Sequence, residues 1–183
     1  MLITSIVSTE NELLQIHHLN QRNLKQNLND EIRKKEGFVT WLYPIELLKK
    51  MHQLSPSIII KDAEKVVAYA LTTLKEAQKF HPDLDNMFRN LAKVHYKNML
   101  LSFYNFYCMG QICVDHRYRS MGLVHMLYQK HKEVFSKQYD FILTEISANN
   151  IRSLRAHEKI GFRKIHNYKD SLDQWVVVVW DWS

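Results

Sequence analysis

Polar and apolar positions change period along the chain, and the changes mark its elements. Glu10 to Gln26 carries Leu13, Leu14, Ile16 and His17 at spacings that predict a helix, and Ile45 to Met51 predicts a shorter one. Ser57 to Ile60 and Val66 to Thr73 are rich in β-branched residues and flank the polar stretch Lys61 to Lys65, which predicts an antiparallel hairpin. Pro82 then opens a segment in which Leu84, Met87, Phe88, Leu91 and Val94 recur at intervals of three and four, the apolar face of a helix.

Phe103 to Val114 is expected as one long strand. The period then lengthens from two to about 3.6 as Leu123, Met126, Leu127 and Val134 mark an amphipathic helix. Phe141 to Ile146 predicts a strand, Ile151 to Ile160 a helix, Phe162 to Tyr168 a strand and Trp175 to Trp180 a last strand. This alternation predicts parallel pairing with right-handed crossovers, and the early hairpin adds antiparallel strands. The fold class is therefore α/β, a central mixed sheet flanked by helices. No repeat or low-complexity linker divides the 183 residues, so one domain over 1–183 is expected.

Composition narrows the class further. With 46% hydrophobic and 24% charged residues, disordered and fibrous classes are excluded. The longest apolar run, Trp175 to Trp180, is far short of the ~20 residues of a spanning helix, and Thr4 and Ser5 stand where a signal peptide carries positive charge. No membrane association and a cytoplasmic location are expected. Cys108 and Cys113 lie on one expected strand at a spacing that points them to opposite faces, so they are expected as free thiols. With no CxxC or HxxxH spacing, no metal site is expected.

The net charge of +6 sits in one stretch: Asp115 to Lys169 holds 11 Lys and Arg against 5 Asp and Glu. A solvated basic face and a surface for a phosphorylated cofactor or nucleic acid both fit that excess. The stretch does not interleave basic residues with stacking aromatics, so nucleic acid is not expected as a partner.

Between the long strand and its helix runs Val114-Asp115-His116-Arg117-Tyr118-Arg119-Ser120-Met121-Gly122-Leu123-Val124. A glycine at a strand-to-helix turn leaves unpaired N–H groups at the positive end of the helix dipole, where anions bind. An ordinary helix start with a turn glycine gives the same pattern. Downstream, Asn150 and Gly161 bracket a helix as N-cap and as the residue past its end.

These two segments resemble the two signatures of the GNAT N-acetyltransferase superfamily. The first, [Gln/Arg]-x-x-Gly-x-[Gly/Ala] after an apolar strand end, is matched by Ile112-Cys113-Val114, Arg119 and Gly122; Ser120 and Val124 stand where members commonly have glycine or alanine. The second, Asn-x-x-Ala-x-x-Leu-Tyr-x-Lys-x-Gly-Phe, is matched by Asn150, Lys159, Gly161 and Phe162, with Ser153 and Ala156 as small or apolar replacements. The resemblance covers Gln111 to Phe162.

It implies a GNAT-like fold and acetyl-CoA as co-substrate, held by Ile112, Cys113, Val114, Arg119, Ser120, Met121, Gly122, Leu123, Val124, Asn150 and Ser153. His157 takes the place of a family tyrosine that protonates the departing thiolate; its ordinary pKa of ~6.5 suits that task and implies a rate that falls at high pH. Alternation puts Glu145 beside Phe141 and Leu143 at the carboxyl end of its strand, a desolvated place for a base. The position resembles the base of ribosomal-protein N-terminal acetyltransferases.

The implied reaction is direct attack of a primary amine on the thioester with both substrates bound. A catalytically silent CoA-binding sensor is the alternative. Residues 1–100 are expected to form the acceptor-side half, with a helical insertion at about 74–98 covering a pocket shaped by its aromatics, Tyr104 and Tyr107; residues 101–183 form the acetyl-CoA half. The acceptor, small molecule or peptide, stays open. The apolar last strand offers an edge for a homodimer.

Overall fold

The computed structural model describes residues 1–182. In chain order the elements are β1 (Leu2–Ile6), α1 (Glu10–Arg22), α2 (Asp30–Glu36), α3 (Ile45–Leu54), β2 (Ile58–Asp62), β3 (Lys65–Thr73) and α4 (Pro82–Leu91). There follow β4 (His95–Tyr96), β5 (Met99–Leu100), β6 (Phe106–Val114), α5 (Leu123–Phe135), β7 (Phe141–Ser147), α6 (Ile151–Ile160), β8 (Arg163–Lys169) and β9 (Gln174–Asp181). The mixed α/β class is confirmed. Seven strands form one sheet in the order β1-β2-β3-β6-β7-β9-β8, and β4 pairs with β5 apart from it.

The expected hairpin is β2–β3. The expected run of parallel strands is corrected: among the named strands of the described residues, only β6 and β7 pair in parallel. The short connection from Lys169 to Gln174 makes β8 and β9 a hairpin, and β9 inserts antiparallel between β7 and β8. The last strand therefore has a neighbour on each side and offers no edge to a second copy; the edges are β1 and β8.

Helices cover both faces. On one, α1 and α3 bury Leu13, Ile16, Leu47 and Met51 against Tyr69 and Leu71, and α4 brings Phe88 and Leu91 to Cys108, Leu143 and Val177. On the other, Leu123, Leu127 and Tyr128 of α5 pack on Ile58, Ala70, Met109 and Ile142, with Leu154 and Ile160 of α6 beside them. The start of α1 is fixed by a capping box, in which the Glu12 N–H donates to Thr9 Oγ1 at 3.2 Å and the Thr9 N–H to Glu12 Oε2 at 3.1 Å.

One irregularity shapes everything that follows. Along β3–β6, Ala70 faces Ile112 but Thr72 faces Met109, so Gly110 and Gln111 together oppose Leu71 alone. This β-bulge shifts the alternation by one position. Cys108, opposite Thr73, and Cys113, opposite Tyr69, therefore share a face of the sheet, correcting the expectation that they point apart. Both thiols are free and buried. Glycine is required at 110 because a Cβ there would overlap Thr73 Oγ1 and sit 2.8 Å from the Tyr43 hydroxyl. Gly110→Ala is expected to destabilise the fold by about 1–3 kcal/mol in thermal melts. Adding Thr73→Ala is expected to restore part of that loss, since the buried Thr73 hydroxyl makes no hydrogen bond.

Candidate active site

The parallel pairing of β6 and β7 lasts only from Phe106 to Cys108 against Phe141 to Leu143. Beyond it the Thr144 hydroxyl donates to the Met109 carbonyl at 2.8 Å, and then the bulged β6 swings away. The sheet splits at its centre, at the carboxyl ends of two parallel strands, where open α/β sheets place their sites. The Asp115 N–H donates to the Val67 carbonyl at 2.8 Å, which fixes the ladder phase. Cys113 exchanges bonds with Tyr69, while Ile112 and Val114 turn their N–H and C=O groups toward the gap.

An outer groove of about 680 Å³ opens there, lined by Ile112, Cys113 and Val114, by the turn residues Arg119, Ser120, Gly122, Leu123 and Val124, and by Asn150, Ser153 and His157 of the α6 segment. The turn holds Ser120 at φ 63° and Gly122 at φ 78°. Gly122 is the N-cap of α5 and has no side chain to cap it, so the first N–H groups of a 13-residue helix face the groove. A Cβ on Gly122 meets nothing within 4 Å; the glycine is needed for its backbone angle. Gly122→Ala is expected to cost about 1 kcal/mol in stability, measured in thermal melts.

Two of the expected cofactor residues sit differently. Met121 is 55% exposed and lies outside the groove lining. Arg119 lines the groove but spends its guanidinium within the protein: it donates to Asn23 Oδ1 at 2.7 Å, to Glu36 Oε2 at 3.1 Å and to the Val114 carbonyl at 3.2 Å. The Arg119 guanidinium holds the Glu36 carboxyl below its usual range, and Arg152 adds to this from 3.4 Å. Arg119 thus straps the turn to α2 rather than extending a free cation.

A narrower inner cavity of about 120 Å³ lies behind the groove. Phe38, Val39, Ile112, Asn150, Ser153 and His157 line both, so they form the wall at which the two meet. Asn150 positions that wall, accepting from the Ser153 N–H at 3.2 Å and donating to the Phe38 carbonyl at 2.9 Å. Glu145 lines the inner side. Removal from water pushes its carboxyl up to about 8; the Tyr168 hydroxyl, donating at 2.5 Å, opposes that rise, and Asp170 adds to it.

Asp83, Leu84 and Met87 of α4 and Asp170, Leu172 and Trp175 near the β8–β9 turn also line the cavity, and the Asn86 amide joins the two elements by donating to Asp170 Oδ2 at 3.2 Å. Tyr104 and Tyr107 are not in the lining; Tyr107 packs with Phe135 and Tyr139 in the opposite core, and Tyr104 with Tyr96 and Phe141.

His157 departs from the acid that the resemblance implies. It is 1% exposed, its Nδ1 lies 2.7 Å from the Ser153 carbonyl and its Nε2 2.6 Å from the Tyr128 hydroxyl. The ring donates to the first and accepts from the second, which is the neutral tautomer. Burial lowers its pKa to about 4. At neutral pH the ring carries one proton only, the Nδ1–H engaged by the Ser153 carbonyl, and Nε2 has none to give.

Phe38, Val39, Tyr168, Tyr128 and Gly110 complete the site without having been singled out in the sequence. Only Gly110 carries a local signal, an isolated glycine within a strand pattern.

Among the described residues no group of three His, Cys, Asp or Glu gathers to hold a metal, and no helix is long and apolar enough to cross a membrane. Fold and cleft together define an acyltransferase. The chain belongs to the acetyltransferase (GNAT) family, whose profile matches residues 26–162. Among solved structures it resembles the ribosomal-protein-S18-alanine N-acetyltransferase from Escherichia coli, at 15% identity and TM-score 0.58 over 98% of this chain and 91% of that one. It also resembles Ard1 from Thermoplasma volcanium, at 13% identity and TM-score 0.66 over 98% and 97%. A chain of the NatC complex bound to Gag peptide and CoA aligns at 12% identity and TM-score 0.65 over 100% and 99%. No curated protein matches it.

Proposed function

We propose that the protein transfers an acetyl group from acetyl-CoA to a primary amine by direct attack while both substrates are bound. The observation that carries this reading is the shared wall: a long groove with free backbone groups meets a small cavity that contains one desolvated carboxylate. The open edge at Ile112 and Val114 suits the amide-bearing arm of the co-substrate, which adds there like a strand. The first turn of α5 suits its diphosphate.

Glu145 accepts a proton from the incoming ammonium, and the neutral amine then attacks from the inner cavity across the Phe38–Ile112 wall. Neither cysteine serves as the nucleophile of an acyl-enzyme route. Burial pushes the Cys113 thiol up to about 12 and the Cys108 thiol well above its ordinary value, so both stay protonated. We assign His157 to holding the wall: its bonds to Tyr128 and the Ser153 carbonyl fix α6 against α5.

The test is thiol release from acetyl-CoA across a panel of primary amines, beside direct titration of CoA. Amine-dependent release is expected. CoA binding with no release for any amine would instead identify a silent sensor.

A further inference from the structure

The inner cavity is acidic within a basic protein. Among the described residues Asp83, Glu145 and Asp170 line it and neither Lys nor Arg does, although the chain carries a net charge of +6. The three carboxylates share one field. Asp170 adds to the forces that keep Glu145 protonated, and Glu145 and Asp83 both add to the burial that holds the Tyr43 hydroxyl in its neutral form. Phe38, Trp41, Tyr43 and Trp175 supply ring walls.

The cavity is small and narrow. The Asn86–Asp170 bond ties α4 to the β8–β9 turn at its side, and its 120 Å³ suits a short unbranched chain. Asp170 Oδ1 is taken up by the N–H groups of Leu172 at 2.8 Å and Asp173 at 3.1 Å and by the Trp175 indole at 2.9 Å. Asp83, half-buried, has a loose pairing with His81 at 3.6 Å among the described residues, which leaves its carboxylate the most available of the three.

Resting on the amine acetyltransferase reading, we propose that the acceptor is a linear alkyl diamine or polyamine. One primary amine lies beside Glu145, and a second ammonium remains charged against Asp83, flanked by Asp170 and the aromatic walls. Two carboxylates on one side of a cavity attract a cation, and ring faces add to that attraction. A monoamine supplies charge to one end of the cavity only.

In the reaction the first ammonium gives one proton to Glu145. Its nitrogen forms the C–N bond to the acetyl carbon as the C–S bond breaks. The second proton lost by that nitrogen goes to the departing sulfur, and Glu145 returns its proton to solvent. The distal ammonium is unchanged throughout.

The experiment compares thiol release with tetramethylenediamine, pentylamine and a short peptide with a free N-terminus. The diamine is expected to exceed pentylamine by about tenfold or more in kcat/KM, the effect of ~1.4 kcal/mol. Asp83→Asn is expected to collapse that preference by raising KM for the diamine about tenfold at nearly constant kcat. An unchanged acetyl-CoA dissociation constant verifies that the variant is folded. Equal use of diamine and pentylamine, best turnover on the peptide, or a diamine preference that survives Asp83→Asn overturns the proposal while leaving the amine acetyltransferase in place. Absence of release with every amine overturns both.

Discussion

Glu145→Gln is expected to lower kcat by about 10²- to 10⁴-fold, the usual contribution of a positioned base, with acetyl-CoA affinity unchanged. The amide fills the same space and can still meet the Tyr168 hydroxyl, which lies 2.5 Å from the carboxylate, but it cannot take a proton. The pH profile gives the sharper readout. Because removal from water pushes Glu145 up to about 8, the unprotonated base is scarce at neutrality, and kcat/KM of the native protein is expected to rise as pH increases through about 8. That limb should vanish in the variant. Steady-state thiol release between pH 6 and 9.5, paired with calorimetric titration of acetyl-CoA, checks both statements; unchanged kcat in Glu145→Gln rejects the assignment. A rate rising with pH is the opposite of what a histidine acid would give.

Stability is expected to have its own optimum, near pH 6.5. Two fully buried histidines set the acid side. Burial lowers His157 to about 4 and His131 to about 3. His131 Nδ1 lies 3.0 Å from the Tyr107 hydroxyl, as His157 Nε2 lies 2.6 Å from that of Tyr128. Their folded pKa values lie below the unfolded ~6.5, so the stability they contribute is present above that pH and is lost as pH falls toward the folded values. Each loss is on the order of 3–5 kcal/mol, against a typical total of ~5–15.

Glu145 sets the alkaline side with the opposite sign. Its folded pKa is raised, so its stabilising state is protonated and is lost as pH rises from the carboxylate range through about 8. Thermal melts from pH 4 to 9 should peak between the limbs, and Glu145→Gln should flatten the alkaline one. A melting temperature still climbing at pH 9 rules this out. Turnover and stability therefore pull in opposite directions above pH 6.5, because one desolvated carboxyl serves both.

The parts legible in the sequence are those in which local chemistry and final structure agree. The helices at Ile45, Pro82, Leu123 and Ile151 begin where period, proline or cap residues place them. Glu145 lies at the end of its strand among Phe141 and Leu143, and Gly122 has the positive φ expected of the turn. What the sequence concealed depends on long-range partners. Nothing in Gln174 to Asp181 says that β9 lies between β7 and β8, since a hairpin determines which strands are joined but not where the pair docks. β1 leaves three of its five residues only partly buried at a sheet edge, which blurs the alternation that would reveal it. The bulge at Gly110 inverted the facing of Cys113 relative to Cys108. Arg119 and His157 matched signature positions, yet Glu36, Asn23 and Tyr128, at least 29 residues away in sequence, decide what those side chains do.

The brevity of the β6–β7 seam has a thermodynamic consequence. The ladder that joins one four-stranded half-sheet to the other three strands runs for only three residues on each strand, with the Thr144–Met109 bond beyond it. A ligand that fills the gap acts as a mortar between the halves, replacing ladder bonds that the chain itself does not make. Cofactor occupancy should then raise global stability as RT ln(1 + [L]/Kd), with protection greatest along the seam.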